Sequence, residues 1–193
     1  MSAINLSTIN GEPKQPVTYA GRWFVNANVS TTTAGDKTLT PSQMTLDTTF
    51  PNVNAANLVS SSTAGFAIQF PVQGIYAITW MTRGNLTIPA TSTQDLWTYI
   101  GVHTYNGISN KPIGTQPDVQ YRHAMFQNTW ANPTSSSFVP TSQHAPSITE
   151  EFKAGDVVAP WYGPGSTAGY VLNGSSSGTG GSQMTVVLIR RTA

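Results

Sequence analysis

"FPVQGIYAITW", residues 70–80, decides the fold. Taken by alternate residues, Phe70, Val72, Tyr76, Ile78 and Trp80 fall on one side, and Ile75 and Ala77, continued by Met81, on the other. A strand with one wet face alternates apolar with polar. This one is apolar on both sides and needs two covers. Two other stretches share the signature. In "WTYIGVHTY" (97–105), with Leu96 before it, Leu96, Ile100 and Val102 oppose Trp97, Tyr99 and Tyr105. In "MTVVLIR" (184–190), Met184, Val186 and Leu188 oppose Val187 and Ile189. A second sheet covers one face of each strand. No helical apolar stripe is available to cover the other, and a large exposed apolar patch is unfavourable on a monomer. A neighbouring subunit is the economical cover; the alternative is the chain's own loops 107–118 and 130–148. The predicted interface is Ile75, Ala77, Met81, Tyr99, His103, Tyr105, Val187 and Ile189, with His103 a packed or interface imidazole.

Working outward, short β-branched and aromatic runs are separated by 13 prolines and 17 glycines, which reads as all-β. Strand candidates are 21–29, 43–50, 62–83 (a hairpin turning at Pro71 to Gly74), 95–107 (ending in an Asn-Gly turn signal), 119–130, 136–152, 152–163 and 183–191. That makes about eight to ten strands, enough for a sandwich or jelly roll. In "AGD" (154–156), Gly155 permits a turn and Asp156 can bond its own backbone before Val157 re-enters the sheet. The 193 residues suit one domain with an arm: 1–18 carries Ile4, Leu6 and Ile9 as its apolar anchors, ahead of Pro13 and Pro16, and 19–193 forms the sandwich.

Only 9% of residues are charged, nine basic against eight acidic, and Ser, Thr, Asn, Gln and Gly take their place. Packaging a nucleic acid needs a basic arm or stripe; the arm offers only Lys14, so no nucleic-acid partner is expected. The opening stretch lacks the basic and apolar regions of a signal peptide, and no apolar run approaches a bilayer span of about 20 residues. No cysteine is present. No catalytic, cofactor or metal site is expected. Gly174 to Gly178 matches a nucleophile elbow by letter, but inside a Gly/Ser loop rather than a strand-to-helix turn. Residues 163–168 mimic a dinucleotide fingerprint without its βαβ unit. His103, His123 and His144 lack metal-ligand spacing, Asp36, Asp95 and Asp118 form no calcium-ligand run, and Glu150 and Glu151 point to opposite faces of a strand. Four sequons begin at Asn5, Asn28, Asn85 and Asn173, as chance allows in so Asn- and Ser-rich a chain. Trp130, Trp161 and Tyr162 suit either sandwich edges or stacking on sugars.

Three blocks in order, "GFAIQFPVQGIYAITW" (65–80), "WTYIGVHTYNG" (97–107) and "FKAGDVVAPWY" (152–162), closed by "MTVVLIRR" (184–191), resemble the C1q/tumour-necrosis-factor-like jelly roll over residues 20–191. The family's aromatic-Ser-Gly-aromatic signature before the last strand is replaced by "GSSSGTGGSQMTVV", which implies a divergent branch; the arm, the missing signal peptide and cysteines and the low-charge Ser/Thr/Asn-rich surface point to a viral or phage one. The resemblance implies a jelly-roll β-sandwich assembled as a homotrimer, with the second faces buried around a three-fold axis. The expected function is non-enzymatic: a trimeric spike, decoration or minor capsid component of a virion, joined through its arm (Ile4, Leu6, Ile9) to other capsid proteins and able to attach to a host-surface glycan or protein. The alternative is a secreted or surface-displayed, extracellular recognition module for glycan or protein ligands. Neither inserts into a membrane.

Overall fold

Strand alternation and proline placement explain most of the architecture. The computed structural model describes residues 18–165, 169–175 and 180–192, together with the backbone of 8–9 and 12–13. Residues 74–80 of the quoted stretch open β8 (Gly74–Leu86), whose Tyr76, Ile78, Trp80 and Leu86 are buried while Ile75, Ala77, Thr79 and Met81 lie on the outward side. At 13 residues β8 is long enough to take two short partners on each edge. On one edge lie β15 (Tyr170–Leu172) and β16 (Gln183–Arg191); on the other lie β12 (Thr141–His144) and β13 (Ser147–Phe152). Between β12 and β13 stands Pro146, which has no N–H for the ladder but accepts from Trp80 N at 2.9 Å through its carbonyl. Beyond β16 come β3 (Ala20–Val25) and β6 (Met44–Leu46), and beyond β15 comes β4 (Val29–Thr31), which completes an eight-stranded antiparallel sheet.

The facing sheet has six strands. Its centre is β9 (Ser92–Tyr105), with β14 (Val157–Pro164) on one edge and β10 (Ile108–Ser109) and β11 (Arg122–Asn132) on the other. β5 (Lys37–Thr38) and β7 (Ile68–Gln69) extend β14. The chain is therefore an all-β jelly-roll sandwich, as the sequence predicts. Its core is strongly aromatic: the Phe70 ring lies 4.4 Å from both Tyr76 and Phe152, and Trp80 Nε1 donates to the Trp161 carbonyl of the opposite sheet at 3.1 Å.

One expectation needs correcting. Residues 62–83 do not form a hairpin. Ile68 and Gln69 pair with Val158 and Val157 of β14 in the six-stranded sheet, whereas Gly74 starts the central strand of the other. Pro71 to Gln73 thus carry the chain across the sandwich. Gly74 is needed at the landing point, because a Cβ there would lie 2.6 Å from the Arg190 carbonyl oxygen and from Leu188 Cδ1.

The Asn-Gly turn is present: Asn106 (φ 54°) and Gly107 (φ 78°) join β9 to β10, both left-handed as this turn type requires. Gly155, at φ 89°, makes the "AGD" turn, and buried Asp156 accepts from the Lys153 amide at 2.9 Å. The same carboxylate also accepts the amides of Asn106 (3.1 Å) and Gly107 (2.9 Å), stitching two distant turns together. In the 1–18 arm, β1 (Thr8–Ile9) and β2 (Glu12–Pro13) pair antiparallel. Ile4 and Leu6 lie outside the described residues, and Ile9 is described by its backbone alone.

Candidate functional site

Two neighbouring rows on the outward face of the eight-stranded sheet are built of short side chains. Val187, Ala77 and Thr149 form one row across β16, β8 and β13; Thr185, Thr79 and Ser147 form the next, with Thr79 Oγ1 3.0 Å from Ser147 Oγ. Met81 lies beside Gln183, and Ile75 lies between Arg190 and Glu151. Ile75, Ala77, Met81 and Val187 are half-buried here, and Ile189, at a bulge between Leu188 and Arg190, is 55% exposed. Arg22 borders the hydroxyl row opposite Thr185, but its charge is already met by buried Asp47 at 2.6 Å. The Thr49 hydroxyl foremost, and Arg22 with it, hold the Asp47 carboxyl below its ordinary range against the opposing effect of burial.

The outward face of the six-stranded sheet differs. Tyr99 and His103 are buried there by the chain itself, so the expectation that they meet a neighbouring subunit is corrected: no surface of either is left for one. Loop 107–121 forms the roof. Trp161 lies over Gly101, where a Cβ would sit 2.6 Å from the indole Cδ1 and 3.0 Å from Pro117 Cγ. Trp161 Nε1 donates to His103 Nε2 at 3.2 Å, so His103 Nδ1 carries the proton and donates to the Lys111 carbonyl at 3.0 Å. Burial lowers the His103 pKa, in keeping with this neutral tautomer. Tyr105 points elsewhere, half-buried against Phe152 (5.9 Å) and His123 (6.0 Å).

Asp36, which lies between the strand candidates 21–29 and 43–50, anchors this roof. Its buried carboxylate accepts from Tyr99 OH at 2.7 Å, from Trp97 Nε1 and from Gln116 Nε2, and it pairs with Arg122 at 3.5 Å. The Arg122 guanidinium also lies 5.3 Å from the centre of the Tyr99 ring. Burial first, then the Asp36 carboxylate, push the Tyr99 phenol far above its ordinary value, so it stays a donor. Sequence reading misses the cluster because Trp97, Tyr99 and Gln116 lie 61, 63 and 80 residues from Asp36.

A third region is the seam where β11 meets β12 and β13. His123 Nδ1 sits 3.0 Å from both Glu150 oxygens, linking the two sheets. Glu151 points the other way, to Gln73 (3.0 Å) and Thr192, as adjacent strand residues must. Buried His144 takes Asn128 Nδ2 on Nε2 (2.8 Å), with Nδ1 3.1 Å from Thr98 Oγ1; burial lowers its pKa. Over it lies Phe126, 50% exposed, next to Met125 at 48%. A bulge between His123 and Phe126, with Ala124 at φ 51°, turns these two side chains out. Trp161 and Tyr162 are buried and cannot stack on a sugar; Trp130 packs half-buried against the main core. Among the described residues no three His, Asp or Glu side chains converge as metal ligands. Of the Gly174 to Gly178 loop, residues 176–178 lie outside the described part. No described helix is long and apolar enough to cross a membrane.

No family model matches the chain, and no curated protein does. Among solved structures it is similar to the Eiger tumour necrosis factor from S. frugiperda, with a TM-score of 0.51 and 11% identity over 92% of this chain and 96% of that one. The fold is thus TNF-like. At that identity the likeness concerns the fold alone.

Proposed function

We propose that this chain is a non-enzymatic structural and attachment protein that works as a homotrimer, carried on a virus or phage particle and joined to other capsid proteins through its arm. The observation that carries the trimer is the outward face of the eight-stranded sheet: half-buried Ile75, Ala77, Met81 and Val187, with exposed Ile189, give it apolar surface beside the short-side-chain rows, with Arg190 and Glu151 flanking Ile75. Met125 and Phe126, on a different side of the sandwich, give a second apolar surface. Two unlike patches pair heterologously, and a heterologous contact that closes makes a ring. Tyr99 and His103 have no part in it, and Tyr105 belongs to the seam.

Light scattering should return three times the 20.6 kDa chain mass; a stable monomer at micromolar concentration would overturn the trimer. Removal of residues 1–16 should leave a folded trimer that no longer joins the particle. The TNF-like fold supports a second reading, an extracellular recognition module for glycan or protein ligands. Mass spectrometry of purified particles against culture medium separates the two, because the particle reading requires the chain to sediment with capsid proteins.

A further inference from the structure

We propose that Trp97 is a saccharide-stacking platform, a site for the C–H face of a neutral hexopyranose on the outward face of the six-stranded sheet. The proposal deepens the attachment and recognition readings above and rests on them for its setting. Two tryptophans on this face lie over glycines of a neighbouring strand. Trp161 covers Gly101 and is closed over by Pro117, leaving it 2% exposed. Trp97 lies against Gly163 and Gly165, where added Cβ atoms would sit 2.9 Å from Nε1 and 3.2 Å from Cζ3, with the Gly35 carbonyl (2.7 Å) and Asp95 Cβ (2.9 Å) closing on the same two glycines. Contact with one glycine at the pyrrole end and another at the benzene end sets the long axis of the indole along β14. Unlike Trp161, Trp97 keeps part of its surface open to solvent.

The ring is also held in place. Its N–H donates to Asp36, which Tyr99, Gln116 and Arg122 fix in turn, so a ligand meets a platform already in position. The neighbouring strand supplies polar groups at the rim. Gln127 stands across from Trp97 in the ladder and is exposed, and Thr129 stands across from Asp95, donating to it at 2.5 Å. A flat apolar ring bordered by an amide, a hydroxyl and a carboxylate suits a pyranose, which has one C–H face and a rim of hydroxyls that both donate and accept. Asp36 lies at the indole N–H edge with its charge met by Arg122, and the rim carboxylate of Asp95 is held by the Thr129 hydroxyl; choline therefore serves as the competing cationic probe.

The test uses the intact protein. Its five tryptophans give five indole N–H signals, and Trp97→Phe identifies the relevant one. Methyl β-D-galactopyranoside, methyl β-D-glucopyranoside and choline are titrated to about 50 mM, enough to detect a millimolar dissociation constant. One pyranoside should shift the Trp97 signal and the Gln127 side-chain amide, with saturation transfer strongest to the C–H protons of one sugar face. Trp97→Ala should abolish the shift, and the surface change Gln127→Ala should weaken binding about three- to tenfold. The proposal is overturned if neither sugar moves the Trp97 signal, if choline moves it in their place, or if Trp97→Ala still binds. Cell attachment by the whole protein that survives Trp97→Ala would overturn this site and leave the attachment reading standing. Sugar binding by a protein found in no particle and on no cell surface would do the reverse.

Discussion

The two outward faces of the sandwich begin from the same sequence signature and end differently. β8 and β16 on one sheet, and β9 on the other, are apolar on both parities. Over β9 the chain builds its own cover: loop 107–121 closes on Trp161 and His103, and Asp36 fastens the loop through Gln116 while Arg122 braces it from β11. Over β8 and β16 no described loop closes in the same way, and Ile75, Ala77, Met81 and Val187 stay half-buried beside rows of Thr and Ser. A roof with polar anchors makes a face part of its own subunit's core. A half-open face with no such roof is the one proposed above for a second copy. Two-sided apolarity states that a cover exists, and the lengths of the neighbouring side chains and loops decide whose it is.

Substitutions can break that contrast, and the largest effect is expected on the half-open face. Ala77→Asp places an unpaired charge at each copy of the proposed interface, at a cost of about 3–5 kcal/mol per site if buried. The protein should become monomeric by light scattering with an unchanged far-ultraviolet spectrum; an intact trimer would show that the face is not the contact. On the roofed face Trp161→Ala should cost about 3–5 kcal/mol of stability in urea unfolding, as a core tryptophan does. A loss below about 1 kcal/mol would show that the second cluster is not a true core.

Acid sharpens the comparison further. His103 under the roof and His144 at the seam are buried, and burial sets both folded-state pKa values below the ordinary 6.5. Between the lowered values and about 6.5 the unfolded chain binds more protons than the folded one, so stability is complete above that window and falls as pH drops through it. Thermal melts at pH 7.5 and pH 5 should show a lower midpoint in acid, and His103→Gln should reduce the difference. Equal midpoints would mean that both imidazoles gain protons without loss of partners. The smallest change lies away from both faces. A Cβ on Gly155 meets nothing within 4 Å, so Gly155→Ala should cost only the backbone strain of φ 89°, about 1–2 kcal/mol, with assembly untouched. A larger loss would mean that the Asp156 link between the two turns depends on that exact backbone.

What the sequence determined by itself was local. Alternation in "GIYAITW" and "MTVVLIR" assigned each side chain to the core or the outward face, Asn106-Gly107 marked a hairpin, and "AGD" marked a turn with a carboxylate bonding its own backbone. These follow from periodicity and from the φ angles that glycine and asparagine tolerate, which act within a few residues. The tertiary structure decided the rest. Pro71 to Gly74 read as a hairpin turn, yet whether a turn returns to its own sheet or crosses to the other is set by which strand edge lies free; β14 took Ile68 and Gln69. Asp36 stood in the sequence only as one carboxylate outside any calcium-ligand run, and it gained a role only when Trp97, Tyr99, Gln116 and Arg122 converged on it. His103 and Tyr99 carried the same apolar signature as Ala77 and Val187, but only packing separated the roofed pair from the open one. Alternation fixes the direction in which a side chain points, and the matter that fills that direction comes from residues far along the chain.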